Sequence, residues 1–166
     1  MGTIRNSDLP SRPAAKFTII RDTREQKGKG WLFRSSANCE GVEIVKLDVG
    51  DYTIKGLEDV LAIERKTKGD LWNTLGAAKS YQRFLREWKR GENHKFKFLI
   101  IECSLADIDK GYRYSKVPIA NIHAKLLSLQ INHNVHVVFA GPLDNARTYT
   151  RRLMAKVFKY HQEGKI

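Results

Sequence analysis

The chain has 166 residues, 42% of them hydrophobic, and its 30 Lys and Arg outnumber 18 Asp and Glu to give a net charge of +12. That much apolar material can bury one core and the length is near the commonest domain size, which excludes a disordered basic tail and predicts a single domain. No run approaches the ~20 apolar residues of a membrane span, and no apolar signal core follows the N-terminus.

Two cysteines, Cys39 and Cys103, form neither a CxxC pair nor a disulfide framework, so a reducing intracellular compartment is expected. The positive surplus predicts a polyanionic partner, most often nucleic acid.

In chain order, residues 1–14 carry two prolines and no periodicity and read as a flexible N-terminal arm, with one domain expected over 15–166. KFTII from Lys16 has the composition of a buried strand, and DTREQKGKG that of a loop. GVEIVKL from Gly41 is a second strand, ending near Gly50-Asp51. YTIKG and VLAIERK are two more, joined by a turn around Gly56 to Asp59.

One long helix is predicted from Gly69 to Arg90, with Leu71, Leu75, Ala78, Leu85 and Trp88 on its apolar side. Lys79, Arg83, Arg86 and Arg90 recur at helical spacing as a basic stripe, either a solvated face or a phosphate contact. FKFLIIE (96–102) is a central strand, 104–116 is polar and irregular, and 117–130 is helical. VHVVFA (135–140) is a further strand, and a last helix runs from about Leu143 to His161. Strands alternating with helices predict an α/β fold with a mixed sheet.

Acids at strand ends are the informative minority in so basic a chain. Asp22 and Glu25 follow the first strand, Asp51 the second, and Glu64 lies in IERK. Side chains alternate along a strand, so Glu64 and Lys66 share one face and Arg65 takes the other. A carboxylate that holds a divalent cation, beside an amine that positions water and neutralises developing charge, suits phosphodiester hydrolysis. Asp51 lies 13 residues before Glu64 across a hairpin-like segment, which allows the two to meet at one metal. Mg²⁺ suits such an oxygen site.

Asp51 with Glu64-Arg65-Lys66 has the pattern of the PD-(D/E)XK nuclease superfamily. The longer string Asp22-Thr23-Arg24-Glu25, Val49-Gly50-Asp51-Tyr52 and Ile63-Glu64-Arg65-Lys66-Thr67 with Asp70 resembles the XPF/Hef-type (ERCC4-domain) structure-specific endonucleases over about residues 16–140. The resemblance implies a restriction-endonuclease-like core, a central mixed β-sheet flanked by helices. It also implies a metal-dependent DNA endonuclease acting at flaps, forks or other branched DNA with Mg²⁺ or Mn²⁺.

By that resemblance Asp51 and Glu64 are metal ligands, with the backbone carbonyl of Arg65 a third. Asp22 is an additional acid that reaches the metal directly or through water, Glu25 lies behind it in the same cluster, and Lys66 is the catalytic lysine. Arg65 either holds the acids together or touches phosphate, and Asp70 either caps the next helix or organises Lys66. Arg24, Lys79, Gln82, Arg83 and Arg86 are expected on DNA. The family commonly has a basic residue one turn before Gln82, where this chain has Ala78. A homodimer through the nuclease domain is expected, with the helix from Val117 and the last helix as its faces. Residues 15–166 are expected to hold the nuclease domain alone, without the tandem helix-hairpin-helix region usual in the family.

Two other readings stand beside this one. One is a DNA-binding subunit without activity, although such subunits typically lose the motif acids or the lysine. The other is a PD-(D/E)XK nuclease of resolvase or restriction type. His133 and His136 lack neighbouring ligands for zinc. Cys103, Trp72 and Trp88 read as core, Trp31 is open between core and base stacking, and Tyr112 and Tyr114 interleave with Lys110, Arg113 and Lys116 as a nucleic-acid loop would.

Overall fold

The computed structural model of the protein describes residues 15–25 and 30–166; the expected N-terminal arm and residues 26–29 of the first loop lie outside the described residues. Six strands form one sheet: β1 (Phe17–Arg21), β2 (Cys39–Ile44), β3 (Tyr52–Ile54), β4 (Leu61–Lys66), β5 (Phe96–Ile101) and β6 (His136–Phe139). Their spatial order is β2-β1-β3-β4-β5-β6. Pairing is antiparallel for β1–β3 and β3–β4 and parallel elsewhere, so the expected mixed sheet is present.

Five helices cover it: α1 (Lys68–Gly76), α2 (Ala78–Arg90), α3 (Leu105–Asp109), α4 (Ile119–His133) and α5 (Leu143–Gln162). The alternating side chains of β4 and β5 serve two cores. Ala62, Leu99 and Ile101 pack with α1, α2 and α4 through Trp72, Leu75, Phe84, Trp88, Leu126 and Leu129. Leu61, Ile63 and Ile100 face the other way, onto α5 and the Trp31–Phe33 loop. Burying these strands on both faces is what a continuous apolar run such as FLII requires.

The single helix expected over 69–90 is two helices. Ala77 takes an extended conformation (φ −100°, ψ 128°) between them. Gly76 packs so closely on Val117 that a Cβ there would lie 2.9 Å from Cγ2. The Leu75 carbonyl accepts from Lys125 Nζ on α4, a tertiary partner outside the helical ladder. Tertiary packing thus overrides a continuous apolar periodicity, and Phe84 takes the core place assigned to exposed Ala78.

Two smaller differences have local causes. The stretch 104–116 contains α3, which a Ser104–Asp107 capping box starts. Helix α4 runs on to His133 and stops where Asn134 turns left-handed at φ 51°.

Candidate active site

The ends of β1, β3 and β4 meet where the acids were expected. Gly50 makes this possible: its φ is +75°, and a Cβ would lie 2.9 Å from the Ile63 carbonyl. Free of a side chain, the turn lies against β4, and Asp51 N donates to that carbonyl at 2.8 Å. The Asp51 carboxylate then receives the Arg65 backbone N–H at 2.8 Å. Asp51 is therefore aimed by backbone contacts on both sides of its Cα.

Glu64 and Lys66 share a strand face, as their spacing predicts, and Lys66 Nζ donates to Glu64 Oε1 at 2.5 Å. The ammonium also lies 5.3 Å from the Phe84 ring centroid of α2. Burial, and then the charge of Glu64, push the Asp51 carboxyl well above its ordinary value. Burial raises Glu64 too, against the opposing pull of Lys66. Burial works against the charge of Lys66, but Glu64 and Asp51 outweigh it and raise its pKa. Two carboxylates that resist ionising together, with one lysine between them, form an electrostatic site that a further cation would complete.

Arg65 points to the opposite face and holds acids together, one of its two expected roles. Its Nε and Nη2 donate to the two oxygens of Glu102 at 2.8 and 3.1 Å, and Nη1 donates to Glu25 Oε1 at 3.0 Å. These three side chains are only 7–8% exposed. Trp31 settles as core: it stacks on Tyr52 at 5.1 Å and donates from Nε1 to Glu102 at 2.7 Å.

Asp22, expected to reach the metal directly or through water, is held by its own loop. Its carboxylate is nearly inaccessible and accepts from Arg24 N and Nε at 2.7 Å and from Leu47 N at 2.6 Å. Although burial works against its charge, the Arg24 and Leu47 bonds hold its pKa below the ordinary value. These bonds clamp the loop after β1 to Leu47, and the Asp22 backbone N–H donates to the Asp51 carbonyl at 2.8 Å. Glu25 likewise belongs to the Arg65 cage. Among the described residues, no three His, Cys, Asp or Glu converge as a ready-made metal cage.

Two clefts, of about 410 and 450 Å³, open on the centre and share Arg24, Asp51, Lys66 and Thr74. The first adds Glu64 and, from α2, Ser80, Arg83 and Glu87; the second adds Glu25, Arg65, Asp70 and Asn73. Arg83 thus reaches the site, whereas exposed Lys79, Gln82 and Arg86 line neither cleft. Asp70 caps α1 together with Thr67, exchanging a backbone bond of 3.2 Å and a side-chain bond of 2.7 Å. Tyr112 packs on Trp72 in the core, and Tyr114 is exposed under Arg113. Burial pushes the Cys103 thiol up to about 11, which suits a filler and not a nucleophile.

Sequence reasoning missed Glu102 and Glu87. Glu102 ends the FKFLIIE strand and carries the same strand-end signal as the other acids. Glu87 is the lone acid of α2, and its charge adds to the pressure on Glu64.

A mixed sheet flanked by helices, with an Asp, a Glu and a Lys gathered at adjoining strand ends, defines an α/β protein of PD-(D/E)XK type. The profile of the ERCC4 domain family matches residues 21–150, and the chain belongs to that family. Among solved structures it is similar to XPF from Aeropyrum pernix in complex with DNA, at TM-score 0.62 and 20% identity over 87% of this chain and 66% of that one. A second XPF structure from Aeropyrum pernix matches at TM-score 0.61 and 18% identity, over 82% and 64%. The chain thus spans just under two thirds of the XPF chains it resembles. A comparison with curated proteins finds no match.

Proposed function

We propose that this chain is a metal-dependent DNA endonuclease that hydrolyses phosphodiester bonds at branched, flap or fork structures. The observation that carries the reading is the arrangement of Asp51, Glu64 and Lys66 at one cleft mouth, two carboxylates raised by burial beside a lysine that hydrogen-bonds only one of them. Membership of the ERCC4 domain family and the fold shared with a DNA-bound XPF support DNA as the substrate.

The donor set fits Mg²⁺ or Mn²⁺. Asp51 Oδ1 and Glu64 Oε2 accept no hydrogen bond among the described residues, and Mg²⁺ characteristically takes one or two carboxylates and keeps several waters. The Arg65 carbonyl, between Glu64 and Lys66 on β4, is the proposed third ligand. When bound, such an ion supplies Lewis-acid stabilisation of the phosphoryl oxygens.

The chain's own groups would do the rest. Lys66 keeps its proton through its ion pair with Glu64 and presents positive charge where the transition state gains negative charge. Arg83 and Arg24 at the cleft walls hold the flanking phosphate oxygens, and the floor made by Phe84 limits water on the lysine side. A homodimer is part of the proposal. Leu127 and Ile131 on α4, 54% and 79% exposed, support it as an apolar face, and size-exclusion with light scattering is its test.

Cleavage of labelled forked, flapped and linear DNA with Mg²⁺ tests the catalytic reading. Asp51→Asn and Lys66→Ala are each expected to lower the rate by roughly 10²–10³-fold. Wild-type protein that cuts no DNA, or variants that cut equally well, would overturn it. Comparing junction, flap and linear substrates separates it from a resolvase or restriction-type enzyme.

A further inference from the structure

A second basic surface lies on the sheet face opposite α2. Between the loop after Trp31 and the early turns of α5 is a cavity of about 440 Å³ lined by Leu32, Phe33, Arg34, Arg147, Thr148 and Arg151. Three guanidinium groups and a hydroxyl meet there, and no carboxylate lines it among the described residues. Arg34 and Arg151 form no ion pair among the described residues, and Arg147 pairs only with Asp144, which is solvent-exposed, at 2.8 Å. The next groove along α5 shares Arg151 and adds Arg152, Lys156 and Lys159, the last paired with Glu163 in the same groove at 3.7 Å.

The loop that presents Arg34 is built rigidly. Trp31 N donates to the Tyr52 hydroxyl at 2.7 Å, Trp31 Nε1 is held by Glu102, and Phe33 packs edge-on against Trp31 and Tyr52 at 6.1 and 5.7 Å. Leu32, 70% exposed, stands at the cavity rim. Through Trp31 and Glu102 the loop that carries Arg34 is tied to the Arg65 cage, and the Arg34 side chain itself is exposed.

We infer that the Arg34–Arg147–Arg151 cavity binds a backbone phosphate of the nucleic acid away from the scissile position, on the strand that passes over the sheet end. The inference rests on the DNA reading above. Planar guanidinium forks match phosphate oxygens in bidentate fashion, and three of them in one concavity exceed what solubility requires. The Arg34 loop follows β1 and α5 follows β6, strands that run in the same direction as β4, so the cavity opens at the sheet end that carries Asp51 and Lys66. The two basic surfaces would then grip the backbone on either side of the cut.

Fluorescence anisotropy in EDTA, with forked DNA titrated across a salt series, reads binding without cleavage. Arg34→Gln/Arg151→Gln is expected to weaken binding about tenfold and to reduce the salt slope by about 1–2, while Arg34→Lys/Arg151→Lys keeps most of the slope. Both side chains reach solvent, and a thermal melt checks that each variant is folded. Unchanged affinity and slope in the folded Gln variant would overturn the inference. So would unchanged DNA binding with a shift from dimer to monomer, which would assign the cavity to a carboxylate of a second copy. Wild-type protein that binds through these arginines and yet cuts nothing would leave the cavity assigned and overturn only the catalytic reading.

Discussion

The two faces of β4 hold the same formal charges, one cation and two carboxylates, with opposite outcomes. On one face Arg65 spreads its fork over Glu25 and Glu102, and Trp31 adds another donor. On the other, Lys66 satisfies Glu64 while Asp51 receives a single backbone N–H. A guanidinium has five donors in a fixed plane and can close such a cluster, whereas an ammonium is a point charge and leaves it open. Charge count alone does not distinguish scaffold from site; the tally of unfilled oxygens does.

The contrast breaks most visibly in activity. Lys66→Met should lower cleavage of forked DNA by at least about 10²-fold while the protein stays folded by circular dichroism. Arg65→Met should do the reverse in kind: it leaves Glu25 and Glu102 buried without a cation and costs about 3–5 kcal/mol, read by urea unfolding. If Lys66→Met proved the more destabilising, the two faces would have exchanged roles.

Asp22→Asn comes next, at about 2 kcal/mol, because the buried Leu47 N–H and the Arg24 fork lose a charged acceptor. The pKa of Asp22 is lowered in the folded state, so its contribution is complete above the unfolded value near 3.8 and fades as pH falls through the folded one. A difference between wild type and variant that persisted at lower pH would contradict the clamp.

Asp51→Asn carries the opposite sign. A carboxyl raised on folding binds more protons in the native state, so wild-type stability falls as pH rises from about 3.8 through the folded value. The variant should therefore melt higher at pH 7.5, by about 2–4 °C for a gain of ~1 kcal/mol, and the gain should shrink as pH approaches 4. Excess Mg²⁺ should raise the wild-type melting point and leave the variant's less changed.

Much of this arrangement is legible in the residues. Period-two alternation in IERK separates Arg65 from Glu64 and Lys66, and Gly50 before Asp51 signals a backbone-to-backbone approach. Strand order is not written locally, since β1 lies between β2 and β3 through pairings remote in sequence. The break at Ala77 was hidden because Lys125 and Val117, which stabilise it, lie 40 or more residues further on. Asp22 shows a related limit: an acid after a strand reads the same whether or not a loop amide such as Leu47 N–H also binds it. Glu102 ends a strand as the other acids do, but its pairing with Arg65 spans 37 residues and so is not written locally.

The joint at Ala77 also bears on how such a domain can change over time. One uninterrupted helix of 3.6 residues per turn would lock every side chain downstream into the angular phase set at Thr67, and an insertion would swing Arg83 and Glu87 away from Lys66. Two short helices meeting at an extended residue have independent phases. Length changes at the joint can be absorbed there, so α2 is free to diverge in sequence and tilt while the acids and the lysine stay in place.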